Sequence, residues 1–188
     1  MHLERRGIII RYGDVLREDP EGLIERAEIL RRWNICGKTL LDVGAGPLAI
    51  IAARDFNCRV TTIEISEDAI KDAEQDAAKE GLTGKIKFER KDATSPGYPR
   101  GSFDVVISYG ALHHIEPAKR SKFIQEAYRI AGEKVIIAEL NEEGFNKFHG
   151  SSSTLKAVDL DWLEQELNLL GKVERYSGTL MDVYVLCR

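Results

Sequence analysis

A short apolar segment that breaks at two glycines and continues into a proline constrains this chain more than any other feature. The segment spans residues 39–50 and reads Thr-Leu-Leu-Asp-Val-Gly-Ala-Gly-Pro-Leu-Ala-Ile. Gly44 and Gly46 allow a sharp backbone turn and a close approach of a ligand, where a side chain would collide. Pro47 suits the first turn of a helix, where its missing N–H group would be unpaired anyway. The segment therefore predicts a buried strand, a tight turn and a helix whose free N–H groups can hold a polar or anionic group.

Short β-rich segments and helical segments alternate along the chain as far as residue 170. The predicted strands are 39–43, 59–64, 86–90, 103–108 and 134–139, and the predicted helices are 48–55, 67–80, 118–131 and 155–170. Such alternation predicts right-handed βαβ units and a largely parallel sheet. Two further strand-like segments, 172–176 and 180–187, are too close for a crossover helix and predict an antiparallel hairpin. We therefore expect an α/β three-layer sandwich with a mostly parallel seven-stranded sheet that ends in this hairpin.

The amino-terminal residues 1–37 are polar and rich in arginine. The Asp-Pro-Glu sequence at 19–21 resembles a helix start, and the apolar spacing that follows predicts a helix as far as about Trp33. Residues 141–154 are polar, without a periodic pattern, and predict a mobile loop or a lid. We interpret the chain as one domain, with a helical appendage or lid at 1–37 and a ligand-binding domain at 38–188.

Composition excludes several classes of protein. An apolar content of 43%, a charged content of 31% and a net charge of −4 are typical of a globular protein without a broadly basic surface for nucleic acid. No apolar run approaches the roughly 20 residues of a membrane span, and no signal peptide is evident. The three cysteines are odd in number and lack metal-ligand spacing, so we expect reduced thiols and a cytoplasmic location.

Two acidic residues follow predicted strands near the glycine turn. Glu64 lies 18 positions after Gly46, where a carboxylate can accept hydrogen bonds from both hydroxyls of a ribose. The alternative for Glu64 is a solvated acid at a strand end. Asp92 follows the third strand and can accept a hydrogen bond from an exocyclic amine such as that of adenine, although aspartate is also common in turns.

A pair of histidines, His113 and His114, follows the apolar strand 103–108. Histidine near a ligand contacts substrate or handles protons near neutral pH. The alternative is packing below the site, which we prefer for at least one of the two. Neighbouring histidines point in different directions and make a poor metal pair without a third ligand. We therefore predict no metal site.

Taken together, residues 41–46, 62–66, 103–108 and 112–115 resemble class I S-adenosylmethionine-dependent methyltransferases in their order and spacing. The resemblance covers roughly residues 38–139, and the closing hairpin matches the last two strands of that family. It implies a Rossmann-like fold and S-adenosyl-L-methionine as cofactor. The positions that the resemblance assigns to cofactor binding are Asp42, Gly44, Ala45, Gly46, Glu64, Ile65, Asp92, Ala93, Ser108 and Tyr109.

The same resemblance implies methyl transfer to an acceptor. The Asn/Asp-Pro-Pro-Tyr/Phe tetrapeptide of amino-directed DNA and protein-glutamine methyltransferases is absent at 108–111, and the paired histidines look like the branch that acts on small molecules. RNA and protein acceptors and the oligomeric state are left open. The candidate catalytic residues are His113, His114 and Tyr109, and the candidate substrate or lid residues are Tyr12 and His113.

Two rival functions remain open at the level of sequence. A nicotinamide-dependent oxidoreductase would use the same glycine pattern and Glu64, but it would need a second nucleotide-binding half, which is not evident. A non-catalytic protein that keeps the fold for assembly or for sensing the cofactor remains an alternative because of Leu48, which replaces a glycine often found in the family. That replacement is expected to narrow the loop and to weaken or reposition the cofactor.

Overall fold

The structure, a computed structural model, describes residues 15–150 and 154–188. Within these ranges one sheet contains β1 Thr39–Val43, β2 Arg59–Glu64, β3 Ile86–Arg90, β4 Phe103–Tyr109, β5 Ala131–Leu140, β6 Val173–Ser177 and β7 Met181–Cys187. The helices of the same ranges are α1 Arg26–Arg32, α2 Pro47–Asp55, α3 Glu67–Lys79, α4 Arg120–Ile130, α5 Glu142–His149 and α6 Leu160–Asn168.

The strand order is β3-β2-β1-β4-β5-β7-β6. Strands β1 to β5 pair in parallel, whereas β7 is antiparallel to both β5 and β6. Val43, at the end of β1, lies in register with Ile63 of β2 on one side and Ser108 of β4 on the other. The chain leaves β1 in one direction and returns at β4 in the other, so the carboxyl ends of β1 and β4 form the crevice where open α/β sheets bind ligands. The predicted α/β fold class, a Rossmann-like sandwich with a closing hairpin, is confirmed.

Both faces of the sheet are covered. One core cluster joins Leu16, Ile24 and Leu30 to α2 and to β1, and the other packs α4 and α6 against the opposite face. The described part of the predicted appendage thus shares the main core. In the part of the chain that the structure describes, no helix combines the length and the apolar character needed to cross a membrane.

The prediction that a helix starts at residues 19–21 is wrong. Asp19 instead closes a turn, because its Oδ1 accepts hydrogen bonds from the backbone N–H groups of Glu21 (2.9 Å) and Leu23 (3.0 Å). Gly22 has φ of +92°, a left-handed conformation that a helix does not contain. The helix begins only at Arg26, after an isolated bridge between Glu18 and Ile24.

This amino-terminal turn is attached to the far end of the chain. The Glu18 carboxylate accepts hydrogen bonds from the backbone N–H (2.6 Å) and the hydroxyl (2.8 Å) of Thr179, in the turn between β6 and β7. The Leu180 N–H donates to the Gly22 carbonyl at 3.2 Å, and Lys147 Nζ of α5 donates to the Glu21 carbonyl at 2.8 Å. The amino-terminal turn is therefore held by the turn between β6 and β7 and by α5.

The prediction of a loop without a regular pattern at 141–154 is also wrong over most of that range, because α5 occupies Glu142–His149. Asn141 caps this helix, since its Oδ1 accepts from the Gly144 N–H at 2.9 Å. A Cβ added at Gly144 would lie 2.0 Å from the Leu180 carbonyl oxygen, so only glycine permits this close packing against the chain before β7. Residues 151–153 lie outside the described part.

The helix predicted at 155–170 is shorter than expected. Asp159 is its N-cap, because the Asp159 Oδ1 accepts from the backbone N–H groups of Asp161 and Trp162, and α6 begins at Leu160. The predicted bounds of β1, β2 and β3 are confirmed, and β5 extends beyond its prediction in both directions.

Candidate functional site

A cleft of about 600 Å³ lies at the carboxyl ends of β1, β2 and β4. Predicted cofactor and catalytic residues on its wall are Gly44, Ala45, Gly46, Glu64, Ile65, Asp92, Ala93, Tyr109 and His114. Residues from separate strands thus meet at one edge, as the carboxyl ends of parallel strands require. Tyr12, the predicted lid residue, lies outside the described residues.

The glycine turn forms one wall of the cleft. Gly44 has φ of +97°, a left-handed conformation that favours glycine, although a Cβ there would meet only the Ala111 Cβ, at an ordinary contact distance of 3.4 Å. Gly46 is extended, and a Cβ there would meet no described protein atom within 4 Å, which leaves open space for a ligand. Leu48 is 2% exposed and packs in the core, away from the cleft wall. The Leu48 side chain therefore does not occupy the cleft, and its effect on the cofactor stays a prediction.

Glu64 is held in place by the backbone around it. Its Oε1 accepts from the N–H groups of Ile65 (2.7 Å) and Ser66 (2.9 Å), and its Oε2 accepts a longer bond from Ala45 (3.3 Å). A carboxylate has about four lone-pair sites, so these bonds leave capacity for further donors. Glu64 is thus pre-oriented by the glycine turn and able to accept from hydroxyl groups of a ligand.

Asp92 and its neighbours line the cleft just beyond the carboxyl end of β3. Its Oδ1 accepts from the backbone N–H and the hydroxyl of Thr94, both at 2.8 Å, and these bonds lower the pKa of Asp92. Among the described residues no hydrogen bond reaches its Oδ2, so one oxygen stabilises the turn and the other can face a ligand. Ile65 is 66% exposed on the same wall, an apolar surface suited to a flat ring.

Beneath the cleft lie three buried polar side chains. Asp42 Oδ2, Thr62 Oγ1 and Ser108 Oγ have no hydrogen-bond partner among the residues that the structure describes. Burial raises the pKa of Asp42 well above its usual range, although the charge of Arg26 partly opposes this effect. Asp42 and Ser108 do not reach the cleft wall. Their predicted contact with the cofactor stays a prediction, and buried polar atoms without partners are typical of the floor of a ligand site.

Tyr109 connects the cleft to the amino-terminal segment. Its hydroxyl donates to the Ile24 carbonyl at 2.7 Å, and the Arg26 guanidinium carbon lies 4.0 Å from the centre of its ring. Burial raises the pKa of Tyr109 to about 12, so the phenol is protonated at neutral pH. Tyr109 is thus a poor candidate for a general base and acts as part of the wall.

The two predicted histidines face different surroundings. His113 is 4% exposed and donates from Nδ1 to Oε1 of the buried Glu139 at 2.6 Å, whereas His114 is exposed and lines the cleft. Glu139 also accepts from the backbone N–H groups of Leu112 (3.0 Å) and Leu140 (2.8 Å). His113 is buried and hydrogen-bonded, as the packing alternative predicts, and the same contacts fix its ring. A role at the substrate stays a prediction for both histidines.

The structure adds a third histidine that the sequence did not predict. His149, the last residue of α5, places its Nε2 3.0 Å from Nε2 of His113, and the Phe145 ring lies against both imidazoles. Burial and the neighbouring imidazoles lower the pKa values of His114 and His149, so both rings are neutral at physiological pH. Two features of the sequence could have indicated these residues. Glu139 is an acid near the end of the apolar strand β5, and His149 lies four residues after Phe145, so that the two rings share one face of a helix.

A buried arginine ties this region to the chain before α6. Arg120 donates to the carbonyl oxygens of Ile115 (3.0 Å) and Ala157 (2.9 Å), and its environment lowers its pKa because it is buried. The loop that carries the histidines is therefore anchored from beneath.

Comparisons with known proteins assign the family. Residues 40–134 match the family described as methyltransferase domain. A probable fatty acid methyltransferase of Pseudomonas putida is 30% identical over 185 residues, 93% of this chain and 41% of that protein. Ajmaline N-methyltransferase of Rauvolfia serpentina is 35% identical over 104 residues, 53% of this chain and 35% of that protein. The chain thus spans well under half the length of these curated relatives.

The fold has close counterparts among solved structures. Magnesium protoporphyrin IX methyltransferase from Synechocystis PCC 6803, solved with bound SAM, superposes with a TM-score of 0.67 at 19% identity, covering 87% of this chain and 76% of the other. The open space at Gly46, the spare acceptor capacity of Glu64 and the exposed Ile65 fit a nucleoside-containing cofactor. On the extent of the family match and the agreement of the fold, the chain belongs to the class I S-adenosylmethionine-dependent methyltransferases.

Proposed function

We propose that this chain transfers the methyl group of S-adenosylmethionine to a small-molecule acceptor bound at the His114 end of the cleft. The observation that carries the proposal is continuity: one cleft joins the glycine turn and Glu64 to His114 and Ile115. Cofactor and acceptor would share a single cleft, which brings the two bound molecules together for the transfer.

The chain's own residues fit the parts of the cofactor. Glu64 would accept from the ribose hydroxyls, Ile65 and Ala93 would cover the adenine ring, and Asp92 would accept from the adenine amine. The glycine turn would lie against the methionine portion, where Gly46 leaves room. When bound, S-adenosylmethionine supplies an electrophilic methyl group, so the protein chiefly orients the acceptor and excludes water.

His114 is the candidate for proton handling at the acceptor end. Its ring borders the cleft and is neutral at physiological pH, so one nitrogen can accept a proton or a hydrogen bond from an acceptor. Tyr109 does not serve this purpose, because its hydroxyl proton is already donated to the Ile24 carbonyl.

Three observations support a small acceptor. A cleft of about 600 Å³ is within the range of small-molecule sites. The named relatives include enzymes for ajmaline and for phosphoethanolamine, the latter from Arabidopsis thaliana and 29% identical over 182 residues. The net charge of −4 does not favour a nucleic acid acceptor.

The oxidoreductase alternative is not favoured. A doubly wound dinucleotide fold places a parallel strand beyond β5, whereas here β7 lies there in the antiparallel direction. The family match and the named relatives point to methyl transfer as well.

Calorimetric titration with S-adenosylhomocysteine and with NAD tests the cofactor. We expect saturable binding of S-adenosylhomocysteine alone, weakened in Glu64→Ala and unchanged in Glu67→Ala, an exposed acid on α3. Radioactive S-adenosylmethionine incubated with a cell extract, which is then separated into metabolite, RNA and protein fractions, tests the acceptor. Binding of NAD, or label that appears only in RNA or protein fractions, would contradict the proposal.

We also propose a cytoplasmic location. Cys36, Cys58 and Cys187 are free thiols, and the thiols Cys36 and Cys187 are exposed, as suits a reducing compartment. Thiol labelling of the protein in intact cells measures their redox state, and oxidised thiols would contradict the location.

A further inference from the structure

Three histidines from two separate elements converge beside the cleft. The ligand nitrogens of His113, His114 and His149 all lie within 4.8 Å of one another. The ring centre of His113 lies 4.3 Å from that of His114 and 4.7 Å from that of His149. From this convergence we propose a binding site for one divalent transition metal ion, with Zn²⁺ as the expected occupant, between α5 and the loop after β4.

The orientation of His113 supplies the first ligand atom. Both oxygens of Glu139 accept from N–H groups, so Nδ1 of His113 carries the proton and its Nε2 carries a lone pair. A carboxylate that fixes the tautomer of a histidine is the usual outer partner of a metal-bound imidazole. Glu139 thereby aims Nε2 of His113 at His149.

Two of the three nitrogens lie close to the spacing that a tetrahedral ion requires. His113 Nε2 and His149 Nε2 are 3.0 Å apart. Two nitrogens bound at about 2.0–2.1 Å to a tetrahedral ion lie about 3.3 Å apart, so a shift of a few tenths of an ångström suffices for this pair. The three ligand atoms lie within 4.8 Å of one another, so His114 completes the site by a larger side-chain movement. Imidazole nitrogens suit zinc, copper and nickel, and they are poor ligands for magnesium and calcium.

The placement indicates an open coordination position. Three protein ligands leave a fourth position on a tetrahedral ion for water or another molecule, as in catalytic zinc sites. His114 is both a proposed ligand and part of the cleft wall. A neutral imidazole has one lone pair, so His114 accepts a proton only when it does not bind the ion. The ion would border the acceptor end of the cleft, and only this last point rests on the proposed function. The sequence analysis predicted no metal site because it did not include His149, which only the folded structure brings next to His113 and His114.

Metal titration of the full chain tests the site without any cofactor. The exposed thiols are first removed as Cys36→Ser and Cys187→Ser, because they also bind zinc. Calorimetry with Zn²⁺ and absorption spectroscopy with Co²⁺ are then applied to this background, to His114→Gln and to His149→Gln. The matched control is His2→Gln, which changes the one remaining histidine of the four in the chain.

We expect one ion per chain, a tetrahedral Co²⁺ spectrum and a loss of affinity of at least about tenfold in His114→Gln and in His149→Gln, but not in His2→Gln. Melting curves confirm that both variants remain folded. Binding that is absent, that is equal in all variants, or that is lost in His2→Gln would overturn the site. Binding of S-adenosylhomocysteine is measured separately, so failure of the metal site and failure of the proposed function are distinguishable.

Discussion

The two ends of the cleft are built in different ways. At the cofactor end, the backbone of one strand-to-helix turn and single acids at neighbouring strand ends supply the contacts, and Glu64 is held by the N–H groups of Ala45, Ile65 and Ser66. At the histidine end, side chains from β5, α5 and the loop after β4 hold one another. The first end depends on local conformation, and the second depends on packing between distant segments.

The difference predicts that each end can be damaged without the other. The largest effect is expected for Gly144→Ala, which places a methyl group against the Leu180 carbonyl oxygen. The backbone must shift to accept it, at a cost of about 3 kcal/mol in the free energy of unfolding. Asn146→Ala, on the exposed side of α5, is the control and should change stability little. Chemical denaturation measures both, and equal stabilities would show that α5 is not constrained at Gly144.

The second prediction compares the two ends directly. Glu64→Ala should reduce the binding free energy of S-adenosylhomocysteine by about 2 kcal/mol, since it removes an ionised acceptor. His149→Ala should leave that affinity nearly unchanged, because its hydrogen bond and ring contacts join it to the histidine cluster and Phe145. Calorimetric titration measures both variants. Equal losses would mean that the two ends form one cooperative unit and would break the comparison.

The smallest effect is expected at the floor of the cofactor end. Asp42 is buried with an unpartnered oxygen beside the unpartnered Thr62 hydroxyl, so Asp42→Asn should raise the free energy of unfolding by about 1 kcal/mol. The folded state raises the pKa of Asp42, so the parent gains stability on protonation and loses it as pH rises above the ordinary range of aspartate. The difference in the free energy of unfolding between Asp42→Asn and the parent should therefore grow from about pH 4 to pH 7. Thermal melts across this range test it, and a constant difference would contradict it.

Sequence patterns predict the first end far better than the second. The bounds of β1, β2 and β3, and the residues that meet at their carboxyl ends, follow from short-range alternation and from glycines that the turn requires. The predicted helix start at Asp19 was wrong because an aspartate oxygen accepts backbone hydrogen bonds both in a helix cap and in a turn. The positive φ of Gly22 is compatible only with the turn. Glu139 and His149 could not be paired with His113 from sequence, because no local pattern encodes these contacts. The contact with Glu139 depends on the pairing of β4 with β5, and the contact with His149 depends on how α5 packs against β5 and Leu180.

The attachment of Glu18 to Thr179 has a consequence for the order of folding. These partners are separated by 161 positions, so closing the loop between them has a large entropic cost that must be met by contacts already formed. During synthesis Glu18 leaves the ribosome well before Thr179, so this attachment can form only after β6 and β7 are made. The bond from Tyr109 to Ile24 belongs to the same amino-terminal segment and joins residues that are both made earlier. We therefore expect the segment to join the wall of the cleft first and to be tied to the β6–β7 turn last.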